Sequence, residues 1–130
     1  MESYQEDVTL SDKFLKSSGR LNRLRYLKRS LILFVVEVIL LTVIAVVCME
    51  PSGNDISSAG YVLFTLTIVV FLPVYYLLTI RRLHDLDKSG WFCLAMLVPV
   101  VNTLFSIYVV FAPGTVGSNK YGADPLEGRR

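Results

Sequence analysis

Residues 91–112, WFCLAMLVPVVNTLFSIYVVFA, contain no charged side chain. A bilayer core of about 30 Å takes about 20 apolar residues as a helix. At 1.5 Å per residue this stretch spans about 33 Å, enough for one crossing and not for two. Two similar stretches lie upstream, LILFVVEVILLTVIAVVCM over 31–49 and YVLFTLTIVVFLPVYYLLTI over 61–80. The three together carry a single charge, Glu37. Over all 130 residues the chain is 53% hydrophobic and 18% charged, against about 25% charged in soluble domains. A soluble globular fold, a secreted disulfide scaffold and an acidic disordered chain are excluded. The expected fold is an all-α integral membrane protein with three transmembrane helices preceded by a basic amphipathic interfacial helix. Its expected parts are a cytoplasmic amphipathic segment (1–30), a three-helix transmembrane domain (31–112) and a Gly/Pro-rich tail (113–130).

The net charge of +2 is unevenly placed. Lys13, Lys16, Arg20, Arg23, Arg25, Lys28 and Arg29 all precede the first apolar stretch. The 50–59 loop has no basic residue and carries Glu50 and Asp55, while the 81–90 loop has Arg81, Arg82 and Lys88. Basic flanks stay cytoplasmic. The N-terminus and the 81–90 loop are therefore expected inside and the 50–59 loop outside. Three crossings then put the tail outside, although its Lys120, Arg129 and Arg130 pull the other way. A tail inside would require residues 91–112 to turn back as a hairpin at Pro99. The first apolar run starts too far in and is too long for a cleaved signal, so it is expected to stay as an anchor. Cys48 and Cys93 fall near opposite faces and are expected to remain unbridged.

Within 1–30, Leu10, Phe14, Leu21, Leu24, Leu27 and Leu31 recur at helical spacing. Thr9 with Asp12 resembles a capping box, and Ser17-Ser18-Gly19 is expected to break the helix. Such a segment lies on the inner leaflet and suits anionic lipid; setting orientation alone is the simpler role. Nucleic acid is a poor partner, because the basic residues alternate with leucine at helical spacing and no nucleic-acid motif is visible.

Glu37 lies about 9 Å past Leu31 and needs a partner or a proton. Arg81, Arg82 or a tyrosine of the second stretch are the expected partners; a proton or cation site is the alternative. In the third stretch, Trp91, Ala95, Pro99, Asn102 and Ser106 form a polar and small face suited to helix packing. Pro73 and Pro99 are expected to kink their helices at one level.

Three motifs remain: Gly19-Arg20 with Arg23, the run RRLHD (81–85) followed by SGW (89–91), and PGT-x-G-x-N-x-YG-x-DP (113–125). His84-Asp85 invites an acid–base or metal reading, but His84 is the only histidine and too few ligands accompany it. No cofactor, metal site or catalytic residue is assigned. Together the motifs resemble the bacterial inner-membrane family catalogued as domain of unknown function 805, over about residues 13–125. Two positions depart from the family pattern. Tyr26-Leu27 stands where an aromatic pair is usual, and Ser18 where an aromatic residue precedes Gly-Arg. The resemblance implies a small multi-span protein of the bacterial cytoplasmic membrane with no established activity. It marks Arg20, Arg23, Arg81, Arg82, His84, Asp85, Gly114, Asn119, Tyr121 and Asp124 as candidate functional residues, beside Glu37 and Asn102 from the spans. If RRLHD and the tail form one composite site, the three-crossing topology fails.

The expected function is a non-enzymatic accessory, regulatory or structural role, engaging anionic lipid or a membrane partner. The alternative is an oligomeric transport or pore-forming protein associating through the Asn102–Ser106 face. A lipid-headgroup enzyme using His84 and Asp85 comes third.

Overall fold

The computed structural model describes residues 4–50, 53 and 55–127. Among these the fold is helical, and extended pairing is confined to two isolated bridges, Met49 with Ile56 and Asn119 with Gly122. A short helix, α1 (Leu10–Phe14), starts at the capping box read from the sequence. Thr9 accepts from the Asp12 amide, and Asp12 reaches back to the Thr9 amide and hydroxyl. These bonds hold the Asp12 carboxyl below its usual pKa. The chain then breaks across Ser17–Asn22, with Gly19 at φ +81°, a conformation that suits glycine. Asn22 caps the next helix by accepting from the Arg25 amide at 2.9 Å.

That helix, α2 (Arg23–Val47), has 25 residues, and α3 (Ser58–Asp85) has 28. At about 37 and about 42 Å both are long and apolar enough to cross a membrane. They run antiparallel through a turn closed by Glu50, Asp55, Cys48 and Ser57. Gly60 permits the close approach there, since a Cβ on it would lie 2.8 Å from the Cys48 Cβ. Pro73 sits inside α3 without ending it.

Residues 91–112 do not form one helix. A 3-10 segment covers Gly90–Leu97, and α4 covers Pro99–Phe111. The break has a local cause. Proline disfavours helical geometry in the residue before it, and Val98 is extended at φ −96°, ψ 113°. Pro99 then takes the first position of α4, where its missing N–H costs nothing. At 13 residues α4 is about 20 Å long, and the eight-residue 3-10 segment is about 16 Å. Neither reaches across a 30 Å core. Both ends of the stretch meet the same end of α3: a Cβ on Gly90 would lie 3.0 Å from Ile80 Cγ2, and the Ala112 carbonyl accepts from Arg82.

The expected single continuous third helix is thereby corrected. The stretch goes out and returns, and the tail lies at the RRLHD end rather than the opposite one. The length arithmetic assumed a continuous helix, and Pro99 begins a helix rather than kinking one. The two thiols are free and lie near opposite ends of α3, with Cys48 beside Gly60 and Cys93 packed with Leu83 and Val109.

Burial is inverted relative to a soluble protein. No residue of α2 is buried, and the largest fully buried side chains include Arg20, Arg81 and Arg82. The apolar core is small, with Leu21, Leu78, Leu83, Leu86, Cys93 and Val109 gathered about the last two turns of α3.

Candidate functional site

The end of α3 places Arg81, Arg82, His84 and Asp85 on successive faces of one helical turn, so each addresses a different segment. Asp85 faces both the N-terminal arm and the tail. Its Oδ1 accepts from Arg20 Nε at 3.1 Å and its Oδ2 from Arg82 Nη1 at 2.5 Å. Two guanidinium groups on one carboxylate leave it fully paired although it is only 2% exposed. Its backbone carbonyl accepts from the Thr115 amide at 2.9 Å and the Thr115 hydroxyl at 3.1 Å. Gly114 is required by this closeness, because a Cβ there would collide with the Asp85 carboxylate.

The remaining donors of Arg20 and Arg82 meet backbone carbonyls. Arg82 gives Nε to Val109 O at 2.9 Å and Nη2 to Ala112 O. Those are carbonyls at the C-terminus of α4, where a cation is favoured. Arg20 gives Nη1 to Gly117 O at 2.5 Å and Nη2 to Thr115 O at 2.6 Å. Arg81 turns the other way, donating to Asp12 O at 2.8 Å and to both Asp7 oxygens at 2.7 and 3.0 Å. Asp7 also pairs with Arg29 at 2.8 Å. The Arg81 carbonyl accepts from the Leu21 amide, which stitches the arm to α3.

His84 and Tyr121 stack with ring centroids 3.9 Å apart and planes 7° from parallel. His84 Nδ1 lies 3.3 Å from Gly19 O; a carbonyl only accepts, so Nδ1 carries the proton. Asn119 donates to His84 O and to Thr115 Oγ1, both at 2.9 Å, and accepts from the Tyr121 amide at 2.9 Å. Asp124 accepts from the Gly117 amide at 3.0 Å and the Leu126 amide at 2.9 Å, closing the tail on itself.

Nine candidates are thus brought to one cluster: Arg20, Arg81, Arg82, His84, Asp85, Gly114, Asn119, Tyr121 and Asp124. Three lie apart from its bonds. Arg23 is exposed and borders a cavity of about 210 Å³ shared with Asp85 and Asp124. Glu37 accepts from the Tyr75 hydroxyl at 3.1 Å, while Arg81 and Arg82 are engaged elsewhere. Asn102 accepts from the Ser106 hydroxyl at 2.9 Å within α4. Sequence reasoning missed Asp7 and Thr115. Asp7 was legible only as a carboxylate inside a basic segment, and Thr115 as part of the PGT motif.

Chemically the cluster is a clamp. His84 and Asp85 address different partners and do not form an acid–base pair. Asp85 is held between two arginines.

A family model described as "Protein of unknown function (DUF805)" matches residues 14–123. Inner membrane protein YhaI of Escherichia coli (strain K12) is 35% identical over 121 residues, covering 93% of this chain and 95% of that protein. Inner membrane protein YhaH of the same organism is 43% identical over 58 residues, covering 45% of this chain and 47% of that protein. No solved structure matches. The matched residues run from α1 through the clamp to the tail, and on that breadth the chain belongs to the DUF805 family.

Proposed function

We propose that this is a small non-enzymatic protein of the bacterial inner membrane, with two crossings, α2 and α3, and a re-entrant hairpin formed by residues 90–111. The basic N-terminal arm, the RRLHD turn and the tail form one cytoplasmic cap, in keeping with the positive-inside rule. The cap serves an accessory or structural role and engages anionic lipid. One observation carries this reading. Arg20 and Arg82 are spent on internal bonds, whereas Arg23, Lys28 and Lys88 are exposed on the same end of the molecule. Exposed basic residues at the headgroup level contribute about 1 kcal/mol each toward an anionic surface. The names of the relatives, both inner membrane proteins, support the location.

The test is lipid retention. Native mass spectrometry of protein extracted in mild detergent should show bound phosphatidylglycerol or cardiolipin. The triple variant Arg23→Gln, Lys28→Gln, Lys88→Gln should lose most of it at unchanged thermal stability. Equal retention by the variant would overturn the lipid reading.

A further inference from the structure

A cavity of about 480 Å³ lies between the N-terminal arm, the Ser18-Gly19 turn and residues 121–123 of the tail. Its size is that of a small-molecule site. Lys16, Arg20 and Arg81 border it against one carboxylate, Asp7, which already serves Arg81 and Arg29. The imbalance extends behind the wall. Among the ion pairs between described residues, Arg20, Arg29, Arg81 and Arg82 share Asp7 and Asp85. Counting Asp124 nearby, the cations still outnumber the carboxylates.

Two residues that line this cavity each carry a buried donor behind its wall with no partner among the described residues. Arg81 is 2% exposed, and its Nε has no hydrogen-bond partner among the described residues. The Tyr4 hydroxyl is likewise buried and without a partner. Burial pushes the Tyr4 pKa up, so the hydroxyl stays a donor. A buried donor without an acceptor is costly. Ser18 and Gln5 add a hydroxyl and an amide to the lining, and Lys16 is exposed at the cavity with no ion pair among the described residues.

We infer that this cavity binds a phosphate ester. The missing component is negative charge, and the donors come from several directions. That suits a tetrahedral oxyanion better than a planar carboxylate. The volume exceeds that of bare phosphate and leaves room for a small ester group. The phosphate has two sources, a lipid headgroup or a soluble phosphorylated metabolite. A lipid source deepens the anionic-lipid reading above, while a soluble source is independent of it.

The experiment uses the full chain in mild detergent, titrated with short-chain phosphatidic acid and, separately, with glycerol 3-phosphate, with acetate as the planar control. Binding is followed by phosphorus NMR and native mass spectrometry. At least one phosphate ester should bind and acetate should not. Lys16→Glu should weaken binding about tenfold, the effect of losing one charge-assisted bond, and Tyr4→Phe about threefold, both with unchanged melting temperature. Glu50→Gln, in the turn at the opposite end of α2 and α3, should bind within about twofold of the parent. Binding of the short-chain lipid alone assigns a headgroup, and binding of glycerol 3-phosphate assigns a soluble ester. No binding by either, or equal binding by Lys16→Glu, overturns the site. The cavity variants differ from the rim variants used for lipid retention, so either reading can fail alone.

Discussion

Asp85→Asn keeps the shape of the clamp and removes its charge. Arg20 and Arg82, each with a fully buried side chain, would then face one neutral amide. Breaking a buried pair from one side costs about 3–5 kcal/mol, so the melting temperature in detergent should fall steeply and the tail should become protease-sensitive. Gly114→Ala should do the same by collision with the Asp85 carboxylate. Tyr75→Phe is milder. It leaves Glu37 without its hydroxyl donor and should cost about 1–2 kcal/mol, read as a smaller shift in the same melt. At this scale nine of the twelve residues singled out in the sequence meet in one cluster, and the sequence was a poor guide to what each of them touches. RRLHD and the glycine-rich tail stand out by composition and spacing. Neither encodes the other's position, because their meeting is a tertiary event across about thirty residues. The Glu37 partner was narrowed to arginine or tyrosine by depth alone, and depth does not say that Arg81 is claimed by the N-terminal arm and Arg82 by Asp85 and the carbonyls at the end of α4.

Among the elements, α2 and α3 were legible because a continuous apolar run of bilayer length has few other solutions. The third run was misjudged where a local rule outranked composition. Its hydrophobicity says membrane, but Pro99 forces Val98 out of the helix and divides the run in two. The capping signals were more reliable, since Thr9 with Asp12 needs only neighbours in sequence. Asn22 is the cap to test. It is 7% exposed and holds the Arg25 amide. Asn22→Ala should cost about 1 kcal/mol, seen as earlier amide exchange in the first turn of α2. Gly60→Leu should separate α2 from α3 at the opposite end, since even a Cβ crowds Cys48 and Ile56. A cross-link engineered near that turn would then form more slowly.

For the molecule as a whole, the clamp decides where the tail lies. With native cysteines replaced by serine, Val116→Cys, at an 81% exposed position, should react with an impermeant maleimide only after the inner membrane is opened. Glu50→Cys in the turn between α2 and α3 should react without opening. Labelling of Val116→Cys in intact spheroplasts would restore the three-crossing arrangement. Deleting residues 113–130 should prevent accumulation of the protein, because Arg20 would lose its Thr115 and Gly117 carbonyl partners and the Asp85 carbonyl would lose Thr115.

The clamp also has a history in time. A ribosome delivers Arg20 and then Arg82 before any of the carbonyls over 109–122 that later receive them. In the proposed arrangement these arginines still lack those carbonyl partners during insertion, and such cations hold a flank on the cytoplasmic side. Once the tail is released they are withdrawn from water into the clamp. The same side chains thus act first as address and afterwards as mortar, and a variant that alters one of them changes two stages of the protein's life with a single substitution.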